Sequence, residues 1–247
     1  MTAWEKFIRK IFEKVRTLEQ DNCDITYFRG HNNSEWELKP TIFRKNRINI
    51  DERDIYFDFY SYGASFLKDK TPWDILFDMR NSGLPTRLLD WSESFAVALY
   101  FALLENNKSR EIHTKPCIYI LNPFVLNKIA TGEAEVYNPE IDFDFQYDEA
   151  FILHNKDKKV KKAKKYREIK STVAIIPVKS SQRIIAQKSV YTLHINEDDD
   201  INDLPCCHKV VIPKEAVGDA KIFLRMVGIN EYSLFPDLDG LSRHLMR

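Results

Sequence analysis

The sequence predicts an α+β fold with a mixed or antiparallel sheet and an N-terminal helical portion. Three observations predict it. Apolar residues recur at helical spacing through much of the first part of the chain, short β-branched and aromatic runs dominate from residue 117 onward, and no regular strand–helix–strand alternation appears. At 247 residues and 44% apolar composition the chain can bury one large core, and it reads as a single domain over 1–247 without internal repeats.

The elements follow in order. Thr2 and Glu5 form a capping-box pair, and Trp4, Phe7, Ile8, Ile11, Phe12, Val15 and Leu18 share one face, so 1–20 is a helix. Ile25–Phe28 is β-branched and aromatic, a strand that runs into Arg29-Gly30. Residues 31–50 are irregular, with Trp36, Leu38 and Ile42 as anchors. A second helix starts at Asp51 and carries Ile55, Phe59, Tyr62 and Phe66 on its buried face. Thr71-Pro72-Trp73-Asp74 opens a third, short because Asn81–Pro85 must turn. Ser92 caps an apolar helix over Phe95–Leu104, buried almost all round. Cys117–Leu121, Val173–Val178, Val190–Ile195 and Lys209–Ile212 read as strands. Lys214–Met226 is a helix with Gly228 at its end, and Pro236 opens a last one.

Composition excludes several function classes. Lys plus Arg equals Asp plus Glu at 37 each, so no global charge draws the chain to nucleic acid or anionic lipid. Seven glycines include no G-x-G-x-x-G or Walker pattern. No leader or spanning segment is visible, and four cysteines without a C-x-x-C read as reduced, so the expectation is a cytoplasmic protein with no membrane contact and no metal. One local exception is the lysine-rich loop or helix at 155–170. Its Lys156, Lys158, Lys159, Lys161, Lys162, Lys164 and Lys165 are either a solvated surface or a weak nucleic-acid contact.

Three segments carry chemistry. In Phe28-Arg29-Gly30-His31 a guanidinium at a strand end suits a phosphate or carboxylate, or ties strand to loop in an ion pair. In Gly83–Ser92, Thr86, Arg87, Asp90 and Trp91 place a hydroxyl, a guanidinium and a carboxylate just before a buried helix; Arg87 and Asp90 either face a ligand or pair with each other. In Phe235–Gly240, Asp237 and Asp239 either bind a metal or begin a helix, and the turn is the preferred reading.

Together these segments resemble the FRG domain, a family named for the aromatic-Arg-Gly motif seen at Phe28-Arg29-Gly30. Its second hallmark is similar to Gly83–Trp91 running into Ala98–Ala102, and its tail elements to Arg183–Tyr191 and Gly228–Leu241. The resemblance is colinear over 25–242 and implies a domain mostly found in bacterial and phage genomes. One departure stands out: where relatives carry Gln-His-Tyr before the glycine, this chain has Arg80-Asn81-Ser82.

The order of motifs is also similar to ADP-ribosyltransferases of the Arg-Ser-Glu type, which implies an ADP-ribosyltransferase-like fold and NAD as cofactor. On that resemblance Arg29 holds the cofactor pyrophosphate, Thr86 supports the nicotinamide pocket, Asp90 steadies developing positive charge and Gln187 meets the ribose. Gly30, His31, Arg87 and Trp91 complete the cofactor-binding set. Gln187 stands where the transferases carry an acid, and a neutral amide stabilises developing positive charge far less. Three readings follow: an enzyme transferring ADP-ribose from NAD or cleaving it, a module that senses a nucleotide or small phosphorylated ligand in bacterial or phage conflict systems, and a metal-dependent nuclease-like toxin using Asp90, Asp237 and the lysine run.

Overall fold

The chain folds as helices on both faces of one six-stranded sheet. The computed structural model describes residues 1–19, 25–44, 51–104, 115–142, 169 and 171–246. The lysine run from Lys156 to Lys165 lies outside them.

The N-terminal helix α1 (Ala3–Leu18) has its predicted capping box, with Glu5 N–H donating to Thr2 Oγ1 at 3.1 Å and Thr2 N–H to Glu5 at 2.8 Å. Its buried stripe is narrower than the periodicity suggests: Phe7, Ile11 and Leu18 face the core, whereas Phe12 is 58% exposed. A helix packed on one side covers only part of a broad apolar face.

The strands are β1 (Tyr27–His31), β2 (Leu88–Ser92), β3 (Cys117–Leu121), β4 (Val173–Ile175), β5 (Ser189–Leu193) and β6 (Cys207–Val211). Their order is β4-β5-β2-β1-β3-β6, and every neighbouring pair is antiparallel. The α+β expectation holds, with the sheet antiparallel rather than mixed. β2 is a strand where the sequence reading placed none. Ser94 rather than Ser92 is the N-cap of the apolar helix α4 (Phe95–Leu103), and Ser92 Oγ instead donates to the Gln187 carbonyl at 2.7 Å. A five-residue strand interrupted by a charge shows too little alternation to be read.

The other helices are α2 (Glu52–Gly63), α3 (Pro72–Asn81), α5 (Pro123–Thr131), α6 (Pro139–Asp142), α7 (Gln182–Ala186), α8 (Val217–Met226), α9 (Glu231–Leu234) and α10 (Leu238–Leu245). The predicted buried face of α2 holds only in part: Tyr62, on its last turn, is 89% exposed, and Phe66, past its end at Gly63, is 84% exposed. The closing helix starts as a single 3-10 turn at Lys214–Ala216. Asp237 caps α10 by accepting from Gly240 N–H at 2.6 Å, so the Pro236–Gly240 segment is a helix start.

Alternating strand residues divide the core. Ile118, Ile120 and Val210 pack with α1, α4 and α8 on one part of a face, and Leu88, Tyr191 and Leu193 with α2 and α3 on another. Tyr27, Leu89, Trp91 and Tyr119 bury on the opposite face with Leu126 of α5. One irregularity of the sheet positions the site. β1 shares five register pairs with β3 but only Phe28↔Ser92 with β2, so β1 and β2 splay apart toward Gly30 and Asp90.

Candidate functional site

The split between β1 and β2 exposes main-chain groups that an intact ladder would pair, and arginine fills it. Arg29 Nη1 donates to the Asp90 carbonyl at 2.6 Å and lies 3.6 Å from its carboxylate, while Arg29 Nε donates to His31 Nε2 at 2.9 Å. From the end of α3, Arg80 Nε reaches both Asp90 carboxylate oxygens at 2.9 Å, Nη2 adds a close ion pair, and Nη1 donates to Thr41 Oγ1 at 3.1 Å. Burial alone would push the Asp90 carboxyl up; Arg80, and then Arg29, outweigh it and hold it below the usual carboxylate range. Burial lowers the Arg29 guanidinium to about 10, with Asp90 opposing that fall.

Around this cluster lies a cleft of about 360 Å³, within the range of small-molecule sites. Arg29, Arg44, Arg80 and Arg183 line it together, and Asp90 is the one acidic side chain among its described lining residues. Phe28, Trp36 and Phe101 supply apolar wall. Arg183, on α7, sits 4.9 Å over the Phe235 ring, which Arg243 also approaches at 5.3 Å. Its Nε is buried without a hydrogen-bond partner among the described residues, and burial lowers its pKa. A buried donor left this way is costly unless something supplies an acceptor.

The structure brings Arg29, Gly30, His31, Asp90, Trp91 and Gln187 to this cleft. It does not bring Thr86 or Arg87. Thr86 is fully buried and its hydroxyl accepts from Leu88 N–H at 3.3 Å, a turn-closing bond away from the cleft. Arg87 does not pair with Asp90: its Nε donates to Glu52 at 2.5 Å and its N–H to the same carboxylate at 2.8 Å, tying α2 to the residue before β2. Gln187 Nε2 donates to the Leu234 carbonyl at 3.0 Å, which docks α9. Trp91 turns its indole into the opposite face, where Nε1 donates to Thr192 Oγ1 at 3.0 Å. Sequence reading misses Arg44, Arg80 and Arg183 as site residues. Arg80 is visible there only as a departure from the Gln-His-Tyr pattern, and an arginine at a helix end ordinarily reads as a dipole partner.

His31 and His194 are 3% and 0% exposed, and burial, followed by Arg29, lowers them to about 2 and about 3. Their folded pKa values lie below the unfolded value, so the unfolded chain binds more protons and stability falls as pH drops below about 6.5. Each contributes a slope of about 1.4 kcal/mol per pH unit until its folded pKa is reached. Urea midpoints measured at pH 7.5 and 5.5 are expected to differ clearly, the lower pH giving the lower midpoint. Equal midpoints would contradict neutral burial of these rings.

Residues 24–111 match the FRG domain. Over that stretch the chain is similar to the FRG family. The match contains β1, α3 and β2, and hence Arg29, Arg80 and Asp90, but it ends before Arg183 and Gln187. The FRG match therefore covers the split strands and leaves the part of the cleft lined by Arg183, Gln187 and Ser189 outside it. No curated protein and no solved structure matches the chain. Among the described residues no three His, Cys, Asp or Glu side chains stand together to hold a metal ion, and no helix is long and apolar enough to cross a membrane. Cys117, Cys206 and Cys207 are free and buried, and burial pushes the Cys117 and Cys206 thiols up to about 11.

Proposed function

We propose that this FRG-like domain binds a phosphorylated nucleotide in the arginine cleft, as a ligand-sensing module of the cytoplasm. The observation that carries the reading is Arg183, a guanidinium on the cleft wall whose buried Nε has no hydrogen-bond partner among the described residues, beside an Asp90 already taken by two other arginines. A planar fork at the edge of a partly dry cleft suits phosphate oxygens bidentately. Arg29, anchored to Asp90, holds the cleft floor positive, and Trp36 and Phe101 offer faces for a base. A role in bacterial or phage conflict is the setting that the family resemblance suggests.

NAD is a nucleotide of this class, and the joint presence of Arg29, Asp90 and Gln187 in the cleft keeps NAD turnover as a second reading. Binding is favoured over transfer because neither polar side chain is placed for the transfer role. The Asp90 carboxylate is neutralised by Arg80 and Arg29, and the Gln187 amide is spent on Leu234. A carboxylate so paired stabilises an oxocarbenium-like centre poorly.

The test is thermal unfolding with ADP, ADP-ribose and NAD, with the nucleotides chromatographed afterwards. The expected result is stabilisation without product, equivalent to about 2.7 kcal/mol at one hundred times the dissociation constant. Nicotinamide release would move the reading to NAD turnover, and no shift with any of the three would remove it.

A further inference from the structure

The arginine cleft continues past Arg183. A second hollow of about 320 Å³ is lined by Phe59, Phe66, Leu67, Asn81, Ser82 and Arg183. Asn81 and Arg183 line both spaces, so the two meet at the Arg183 side chain. The turn after α2 displays an aromatic there. Phe66 and Leu67 N–H both donate to the Gly63 carbonyl, at 2.8 and 3.0 Å, and Leu67 is buried at 6% exposure while Phe66 stays 84% exposed. Asp78, which also lines the hollow, is neutralised by Lys70 at 2.5 Å. Arg183, which makes no such pair among the described residues, is the charge left facing this space.

We propose that the ligand is a dinucleotide, two nucleosides joined through a phosphate bridge. The bridge lies on Arg183, one nucleoside occupies the arginine cleft, and the second base stacks on Phe66 and Phe59. This rests on the nucleotide reading above and extends it. A phosphate between two bases needs a cation flanked by two spaces, one of them with exposed aromatic face, and Arg183 has that placement. A mononucleotide leaves the second hollow empty. Stacking on an aromatic side chain is insensitive to base identity and is worth about tenfold or more in affinity.

The experiment titrates diadenosine diphosphate and ADP into the full chain and into Phe66→Ala, a substitution at an exposed position. The wild-type protein is expected to bind diadenosine diphosphate about tenfold more tightly than ADP. Phe66→Ala removes that advantage and leaves ADP affinity unchanged. Dinucleotide binding no tighter than ADP, or equal weakening of both by Phe66→Ala, overturns the inference while the nucleotide reading stands. Binding of neither compound to the wild-type protein overturns both.

Discussion

Gly30→Ala is expected to unfold the protein or leave it barely folded. A Cβ at this position would fall 1.9 Å from the Ala98 carbonyl oxygen, 2.5 Å from Ala102 N and 3.0 Å from Ala102 Cβ. The first two are backbone atoms of α4, so no rotamer change relieves the clash; the helix would have to lift from β1. That helix carries Val97, Leu99 and Tyr100 into the core, and its displacement would open the packing against α1 and α8. The glycine is thus required for space. Overpacking of a well-filled core costs about 1–3 kcal/mol, and a backbone clash of this depth lies at or above the upper end. Urea denaturation checks it: a midpoint near that of the wild-type protein would contradict the close approach of α4 to β1.

Asp90→Ala is expected to cost about 2–4 kcal/mol of stability. Arg29 and Arg80 side chains are 13% and 14% exposed, and Asp90 is the carboxylate they share. Removing it leaves two guanidinium groups facing each other, with the Arg80 hydrogen bonds to the carboxylate unmade and the Arg29 ion pair lost, the costly way to break a buried pair. Asp90 itself is 37% exposed, so water softens the loss and places the effect below the extreme of that range. Asp90→Asn should recover part of it by accepting from Arg80. A residue whose task is only to steady charge in a reaction would leave the denaturation curve in place. An unchanged curve for Asp90→Ala would therefore contradict a structural role for this carboxylate.

The legible and illegible parts of this molecule separate by the range of the interactions behind them. The ends of α1 and α3 are local matters of side chain to neighbouring N–H, and Thr2 and Thr71 announce both. α4 and β3 are apolar runs long enough to stand out. β2 is hidden because its pairing is almost entirely with β5, a strand about a hundred residues later, and nothing local signals that partner. Helix α5 has an Asn122 cap and Pro123 at its first position, signals present in the sequence but overshadowed by the apolar strand just before them.

The site shows the same division. Arg29, Asp90 and Gln187 stand within recognisable motifs, and the fold brings them to one cleft. Thr86 and Arg87 stand in the same motif and serve the scaffold, because both lie before β2 and are taken by Leu88 N–H and by Glu52, partners that a motif string does not reveal. Arg80 and Arg183 become site residues only through tertiary placement, one beside the splayed strands and the other on the ring of Phe235.

The central claim is that the arginine cleft receives phosphate through Arg183. Calorimetric titration of ADP and of adenosine into the wild-type protein and Arg183→Ala tests it most directly. ADP is predicted to bind the wild-type protein well above adenosine, with that advantage reduced at least tenfold in a folded Arg183→Ala protein. Equal binding of ADP and adenosine, or an ADP affinity untouched by Arg183→Ala, would contradict it.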